Sequence, residues 1–411
     1  MKGFTMKTVK FIHCADLHLD SPMTGLKYLP EKVFERLQQS TFKALATITE
    51  ISIREEVDFV VISGDIFDGE DRSLRAQARL RNEMSRLQEK QIPVYLIHGN
   101  HDHLGGTWPK MDMPENVHVF GTDVEVKRFS KQDGTSVHLY GFSYPRRHVT
   151  ERWVEKYEKQ TGADFHIGLL HGHFEGVSQH GMYAPFHIAD LIAKQFDYWA
   201  LGHIHKREIL ASEPPVVYPG NPQGRSRKET GVKGCYLVTL NESGAELAFQ
   251  ETNDVLWVEK EIDGMVVSNP GSLYDLCKRT IAETRIEGKG VVLTLEITNL
   301  DSSKLSLDSG IVDEIMEALQ EQESEEQDFV WVRKITLSKA LQLTRSNPMI
   351  QGDFFNELFV TIDQFDHYHE ALSSLYEHRL ARKHLTELAE EERVLLLKEA
   401  EEELIKLLNQ E

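Results

Sequence analysis

The sequence predicts an α/β fold: a layered sandwich, then a small α+β module and a helical tail. Two observations carry this. Five short apolar runs each end in Asp, Asn or His, and the early ones are separated by amphipathic stretches of helical period. The runs are VKFIHCAD (9–16), VDFVVISGD (57–65), IPVYLIHGN (92–100), FHIGLLHGH (165–173) and FDYWALGHIH (196–205). Continuous apolar runs of this length suit strands buried on both faces. EKVFERLQQSTFKALATITEISIREE (31–56) and SLRAQARLRNEMSRLQEKQ (73–91) read as the intervening helices, so the chain opens β-α-β-α-β. NVHVFG, VEVKRFS, SVHLYGFSYP and GCYLVTLNESGAELAFQ read as antiparallel strands, with NESG as a turn.

At 411 residues the chain exceeds one ordinary core, and three segments are expected: 1–255, 256–340 and 341–411. The second reads as a compact β-α-β-α-β cap module, with Ser272 and Asp275 as a capping box and Leu273, Leu276, Cys277 and Ile281 on one helix face. The third is helical, with a break near NPMIQGDFFNELF (347–359). In its last stretch, 380–411, Leu397, Ala400, Leu404, Leu407 and Leu408 share a face that either packs on its own domain or docks another protein.

Formal net charge is −20, which excludes nucleic-acid binding by bulk electrostatics but not by a local basic groove or bound cations. Three cysteines without a C-x-x-C pair exclude a disulfide framework. No apolar run reaches membrane-spanning length, and aspartates interrupt the N-terminal apolar stretch too early for a signal peptide. A cytoplasmic protein is expected, with no membrane contact.

Singly, each polar strand end is an ordinary turn. Five of them at the carboxyl edge of one α/β region make a crevice lined with donors. Asp16 and His18 lie two apart and point the same way, as do His203 and His205, so each pair can reach one ion. Two cations need a bridging carboxylate, for which Asp65 is the candidate, and the Asn100 amide oxygen offers a neutral ligand. This mixed oxygen and nitrogen set accepts borderline divalent metals. Two basic loops stand out, PRRH (145–148) and GRSRK (224–228); Arg225 and Arg227 of the second follow closely on the ligand cluster and are candidate phosphate contacts.

The ordered set ADLHLD, GDIFD, GNHD, LLHGH and GHIH resembles the calcineurin-like metallophosphoesterase superfamily. Within it, ADLHLDSP, the PGNPQGRS loop and the C-terminal layout are similar to SbcD-type DNA double-strand-break repair nucleases, specifically shorter bacterial relatives of the YhaO type. The likeness is strong over about residues 7–255 and architectural beyond. It implies a four-layer α-β-β-α sandwich and two divalent metals, Mn2+ by preference, with Fe or Zn also compatible. Asp16, His18, Asp65 and His205 are implied to hold the first ion, and Asp65, Asn100, His171 and His203 the second. Spacing alone leaves His171 and His173 open; position in the motif favours His171. A water activated between the ions would attack phosphorus, His101 would protonate the leaving oxygen, and Asp68 would orient His101. Asp20 stands where the family commonly has glycine and reads as a turn cap.

His13 and His98 are expected to be structural, and His103, at the mouth, to be a loop histidine or a nucleic-acid contact; His138, His148, His166, His180 and His187 are expected to be structural. The resemblance implies an exonuclease and endonuclease acting on DNA in repair. It also implies a homodimer whose C-terminal helices engage an SMC-like (SbcC-type) ATPase. The alternative is a phosphatase or nucleotide phosphodiesterase with the same dinuclear site. A non-catalytic subunit predicts missing ligands, and none is missing.

Overall fold

The computed structural model describes residues 7–69, 73–106, 108–175, 183–300, 309–339, 352–374, 388 and 390–408. β1 (Thr8–Cys14), α1 (Glu31–Arg54), β2 (Phe59–Ser63), α2 (Leu74–Glu89) and β3 (Val94–Ile97) form the expected opening, with the three strands parallel. Ser73 caps α2 by accepting the Ala76 N–H at 2.9 Å. β4 (Val117–Val119), from the NVHVFG run expected to be antiparallel, instead continues the parallel series beside β3. The chain reaches it through the long 98–116 connection rather than a tight turn, so no hairpin constrains its direction.

A second sheet follows: β5 (Glu125–Ser130), β6 (Ser136–Gly141), β7 (Phe165–His171), α3 (Ile188–Ala193), β8 (Tyr198–Gly202), β9 (Glu208–Ser212) and β10 (Pro215–Tyr218). Its order is β5-β6-β7-β8-β10-β9, with β6, β7, β8 and β10 parallel and antiparallel edges. The hairpin β11 (Gly234–Asn241) and β12 (Gly244–Glu251) returns to the first sheet, ordered β12-β11-β1-β2-β3-β4.

The period of two sorts each strand between cores. Phe11, Phe59, Val61 and Tyr95 of the first sheet pack on Ile167, Leu169, Tyr198 and Ala200 of the second. On the outer face of the first sheet, Ile12, Val60 and Leu96 pack on Leu45, Ile48, Leu80 and Met84 of α1 and α2. On the outer face of the second, Tyr140, Leu170 and Trp199 pack with Leu191 of α3 and with Trp153 of a short 3-10 helix, Trp153–Lys156. These are the four expected layers.

β13 (Val255–Asp263), α4 (Pro270–Thr284), β14 (Gly290–Leu300), α5 (Ser309–Glu323) and β15 (Val330–Lys339) give the expected β-α-β-α-β run, with the strands ordered β13-β14-β15. The capping box lies one turn earlier than expected. Asn269 is the cap, Ser272 the reciprocal partner and Pro270 the first helical residue, because Asn before Pro combines a side-chain acceptor with a preset φ.

The chain divides into two compact units. One holds residues 1–262, 269–296 and 307–336, and so both large sheets with α4 and α5. The other holds 263–268, 297–306 and 337–411, including α6 (Asp353–Asp363), α7 (Tyr368–Ala371) and α8 (Glu390–Leu408). In it Leu397 of α8 packs on Phe359 and Ile362 of α6, while Val394, Leu395, Leu404 and Leu408 are exposed. The break expected at 347–359 lies partly outside the described residues. Among those residues no helix is long and apolar enough to cross a membrane.

The carboxyl ends of β2 and β8 approach so closely that a Cβ on Gly202 would sit 1.8 Å from the Ser63 carbonyl oxygen. Both partners are backbone, so neither yields cheaply. Gly202→Ala is expected to destabilise the protein by roughly 1–3 kcal/mol or more. Urea unfolding followed by circular dichroism reads this directly; a wild-type midpoint would show that the sheets do not meet this tightly.

Candidate metal centre

Five strand ends converge here. Asp16 and His18 follow β1, Asp65 and Asp68 follow β2, Asn100 and His101 follow β3, His171 ends β7, and His203 and His205 follow β8. The loops after β1 and β2 are laced together: Asp16 N–H donates to Gly64 O at 3.0 Å, His18 N–H to Asp65 O at 3.0 Å and Leu19 N–H to Ile66 O at 2.9 Å. Asp16, His18, Asp65 and His203 all have positive φ (53°, 43°, 48° and 101°). Such backbone costs about 1–3 kcal/mol per residue and persists only where its surroundings hold it. Here it turns consecutive side chains inward.

Three overlapping donor groups result, with ligand atoms within 4.8 Å of one another: Asp16, His18 and His205; Asp16, Asp65 and His171; and His18, Asp68 and His101. His18 Nε2 faces His205 Nε2 at 3.1 Å. Asn100 Oδ1 stands 3.0 Å from His171 Nε2 and 3.3 Å from His203 Nδ1. Asp65 Oδ2 lies between the first two groups, 3.8 Å from His18 Nε2 and 3.4 Å from His171 Nε2, the place a bridging carboxylate needs. His101 borders both: its N–H donates to Asp65 Oδ1 at 2.9 Å, its ring meets the His18 ring edge-on at 5.0 Å, and its side chain is 35% exposed.

The protons test whether cations belong here. His18 Nδ1 is bound to Asp68 Oδ1 at 3.1 Å and His205 Nδ1 to Glu229 Oε1 at 2.7 Å. Carboxylates only accept, so each imidazole carries its proton on Nδ1. Two Nε2 lone pairs are then left facing each other. His171 Nδ1 faces the Ser63 carbonyl at 3.0 Å, and its Nε2 points at the oxygens of Asn100 and Asp65. The facing lone pairs of His18 and His205 are the mark of a cation site, and with the oxygens gathered around His171 the residues fit a pair of divalent ions.

The electrostatics agree. Burial opposes charge on His171, yet Asp65 and Asp16 outweigh it and raise its pKa to about 9. Burial likewise disfavours the charged form of Asp65, but His171 and His18 hold its carboxyl well below the usual range. Burial raises Asp16. Burial lowers His18 to about 4, and lowers His203 well below an ordinary histidine. Without metals, one imidazolium serves two buried carboxylates; bound cations would take over that charge.

Around these groups stand residues whose roles differ from expectation or were not foreseen. Asp68 bonds His18 Nδ1 at 3.1 Å and also lies 3.7 Å from Nδ1 of His101, the ring it is expected to orient. It also accepts from Ser21 Oγ at 2.8 Å and pairs with Arg225 Nη1 at 3.0 Å. Glu229 behind His205 carried no motif that could have signalled it. Tyr183 packs its ring 4.9 Å from that of His203 and stacks on His148 of the PRRH loop at 5.6 Å.

Arg227 is exposed, whereas His103 is buried and Arg225 faces inward with its side chain 16% exposed. His13 bonds Tyr198 Oη at 2.9 Å and the Leu201 carbonyl at 3.1 Å, as a core histidine does. Asp20 accepts from Ser73, the cap of α2, at 2.6 Å, the turn role expected of it. His180 lies outside the described residues. Gly99 provides room: a Cβ there would lie 2.3 Å from Asp65 Oδ1.

His98 and Asp102 tie this loop to the loop after β2. Asp102 accepts from His98 Nδ1 at 2.9 Å, Gly99 N–H at 2.7 Å and Ile66 N–H at 3.0 Å, and is fully buried. Asp102→Ala removes the acceptor from all three. A buried donor left unpaired costs about 1–3 kcal/mol, so the melting temperature should fall by several degrees and bound metal with it. Unchanged melting and metal content would show that Asp102 does not hold the loops together.

A family model described as calcineurin-like phosphoesterase matches residues 9–207. The chain is 42% identical over 387 residues to the uncharacterized metallophosphoesterase YhaO of Bacillus subtilis (strain 168), covering 93% of each protein. It is 24% identical over 279 residues to the DNA double-strand break repair protein Mre11 of Thermoplasma acidophilum, covering 62% of this chain and 69% of that one. It is 28% identical over 273 residues to the Mre11 of Sulfurisphaera tokodaii, covering 57% and 66%. With a relative this similar over nearly its whole length, and a crevice whose facing lone pairs suit two cations, the chain belongs to the calcineurin-like phosphoesterase family.

Proposed function

We propose that this metal-dependent phosphoesterase hydrolyses DNA phosphodiester bonds, as an exonuclease and endonuclease in DNA repair. One observation carries the chemistry: two donor groups meet at Asp16, Asp65 Oδ2 lies within 4 Å of both His18 and His171, and a half-exposed histidine, His101, stands at their edge. The likeness to Mre11 proteins supports DNA as the substrate.

Asp16, His18, Asp65 and His205 would hold one divalent ion, and Asp65, Asn100, His171 and His203 the other. The family resemblance favours Mn2+, and the mixed donor set also accepts Fe or Zn. Such a pair, when bound, polarises a phosphate and makes water a nucleophile at neutral pH. The chain's own residues supply the rest. Asp65 holds the His101 backbone, so the acid is placed by the same carboxylate that lies near both His18 and His171. The exposed imidazole can then hand its proton to the departing oxygen, a step typically worth about 10²–10⁴-fold. Arg227, exposed on the loop beyond the site, is a candidate contact for the continuing phosphate backbone.

With Mn2+ present, end-labelled duplex DNA and single-stranded DNA should be cleaved in preference to a small phosphodiester; cleavage of the small ester alone would favour a phosphatase or nucleotide phosphodiesterase. His101→Ala should retain both ions by elemental analysis while cleavage falls about 10²–10⁴-fold. Asp65→Ala should lose both ions, and full metal content would refute the bridge.

We propose that the exposed side chains of α8 dock an SMC-like ATPase and that the chain acts as a homodimer. Replacing Val394 and Leu404 by Asp should spare DNA cleavage and abolish co-purification with such an ATPase. Undiminished co-purification would place that contact elsewhere.

A further inference from the structure

We propose that Arg225 and Glu229 are positioning residues of the first metal group, and that Arg225 is not a DNA contact. The inference rests on the reading of His18 and His205 as ligands of one ion. Each of these imidazoles is backed by a carboxylate on its Nδ1: Asp68 at 3.1 Å behind His18, and Glu229 at 2.7 Å behind His205. Arg225 spans the two carboxylates. Its Nη1 lies 3.0 Å from Asp68 Oδ1 and its Nη2 3.6 Å from Glu229 Oε1. Its backbone N–H donates to the other Glu229 oxygen at 2.7 Å.

The loop is built for this. Glu229 N–H closes a turn onto Ser226 O at 3.0 Å, which folds Glu229 back under Arg225, and Asn221 Nδ2 donates to Glu229 Oε2 at 2.9 Å. Asp68 is fixed from the other side by Ser21. A planar guanidinium can serve two carboxylates at once, which an ammonium cannot do in the same geometry. The consequence is a closed frame, His18–Asp68–Arg225–Glu229–His205, that fixes which nitrogen of each ring is protonated and holds the two Nε2 atoms 3.1 Å apart. Among the described residues, the His171, His203 and Asn100 side chains make no hydrogen bond to this frame; Asp65 and Asp16 stand between the two sides. The two ions should therefore respond unequally to its loss.

Mn2+ titration of the full chain by calorimetry, with bound metal counted after dialysis, tests this. Wild type should bind two ions; fewer would sink the dinuclear reading itself. Arg225→Gln and Glu229→Gln should each weaken one of the two sites about 10–100-fold and leave the other unchanged. Arg225→Lys should recover only part of the loss. Duplex DNA binding, read by fluorescence anisotropy in EDTA, should be unchanged in Arg225→Gln and weakened in Arg227→Gln. Two sites of wild-type affinity in Arg225→Gln would overturn the proposal, and weakened DNA binding with intact metal sites would return Arg225 to the substrate. If Arg225→Gln does not fold, the titrations of Arg225→Lys and Glu229→Gln decide: two wild-type sites in both would overturn it.

Discussion

The close approach of two strand ends underlies the rest of the structure. Ser63 at the end of β2 and Gly202 at the end of β8 belong to different sheets, yet no Cβ fits between them. Because they meet, ligands carried by both sheets reach one crevice. His171 can then bond the Ser63 carbonyl while its other nitrogen faces Asn100 and Asp65. A wider seam would leave two half-sites, each short of donors. The glycines of GDIFD, HGNHD and LGHIH thus act mainly by having no side chain where carboxylates and imidazoles must pass.

Closing the seam creates an electrostatic problem. Asp16 and Asp65 are almost wholly buried, and burial of a carboxylate demands a compensating charge. The protein offers His171 as the nearest cation, which is why its pKa rises to about 9 although burial alone would lower it. Asp68 and Glu229 are arranged differently: they receive Nδ1 protons and share an arginine, which offsets one of their two negative charges. Inner and outer pairs alike set two carboxylates against one cation, His171 or Arg225, and each is left short of positive charge. Bound cations would fill that shortfall.

Much of this was legible in the sequence, and the reason is local. Buried strands announce themselves by unbroken apolar runs, and the residues that leave such runs are the ones a crevice collects. Asp16, His18, Asp65, Asn100, His171, His203 and His205 all arrive by that rule, and His13 and His98 were readable as structural. What escaped was whatever depends on contacts between loops far apart in sequence. Glu229 reaches His205 only because its loop folds back on Arg225, and Asp68 lies nearer His18 than His101 by a few tenths of an ångström. The direction of β4 escaped for a related reason, since a long connection carries no register signal. The cap of α4 was missed by a turn because Asn269 competes with Ser272, and the following proline decides.

Charge is where sequence and structure differ most in meaning. A count of basic residues makes GRSRK look like a phosphate-binding loop in a chain of net charge −20. The structure assigns those charges separately: Arg225 is held by Asp68 and Glu229, while Arg227 faces solvent. An arginine already held by two carboxylates has little left for a phosphate, whose attraction depends on displaced counterions and available positive charge. On the proposed reading, cations held in the crevice would add to the attraction that Arg227 offers a phosphate. The frame around His18 and His205 would then bear on substrate through the ion it helps to hold, and not through Arg225 itself.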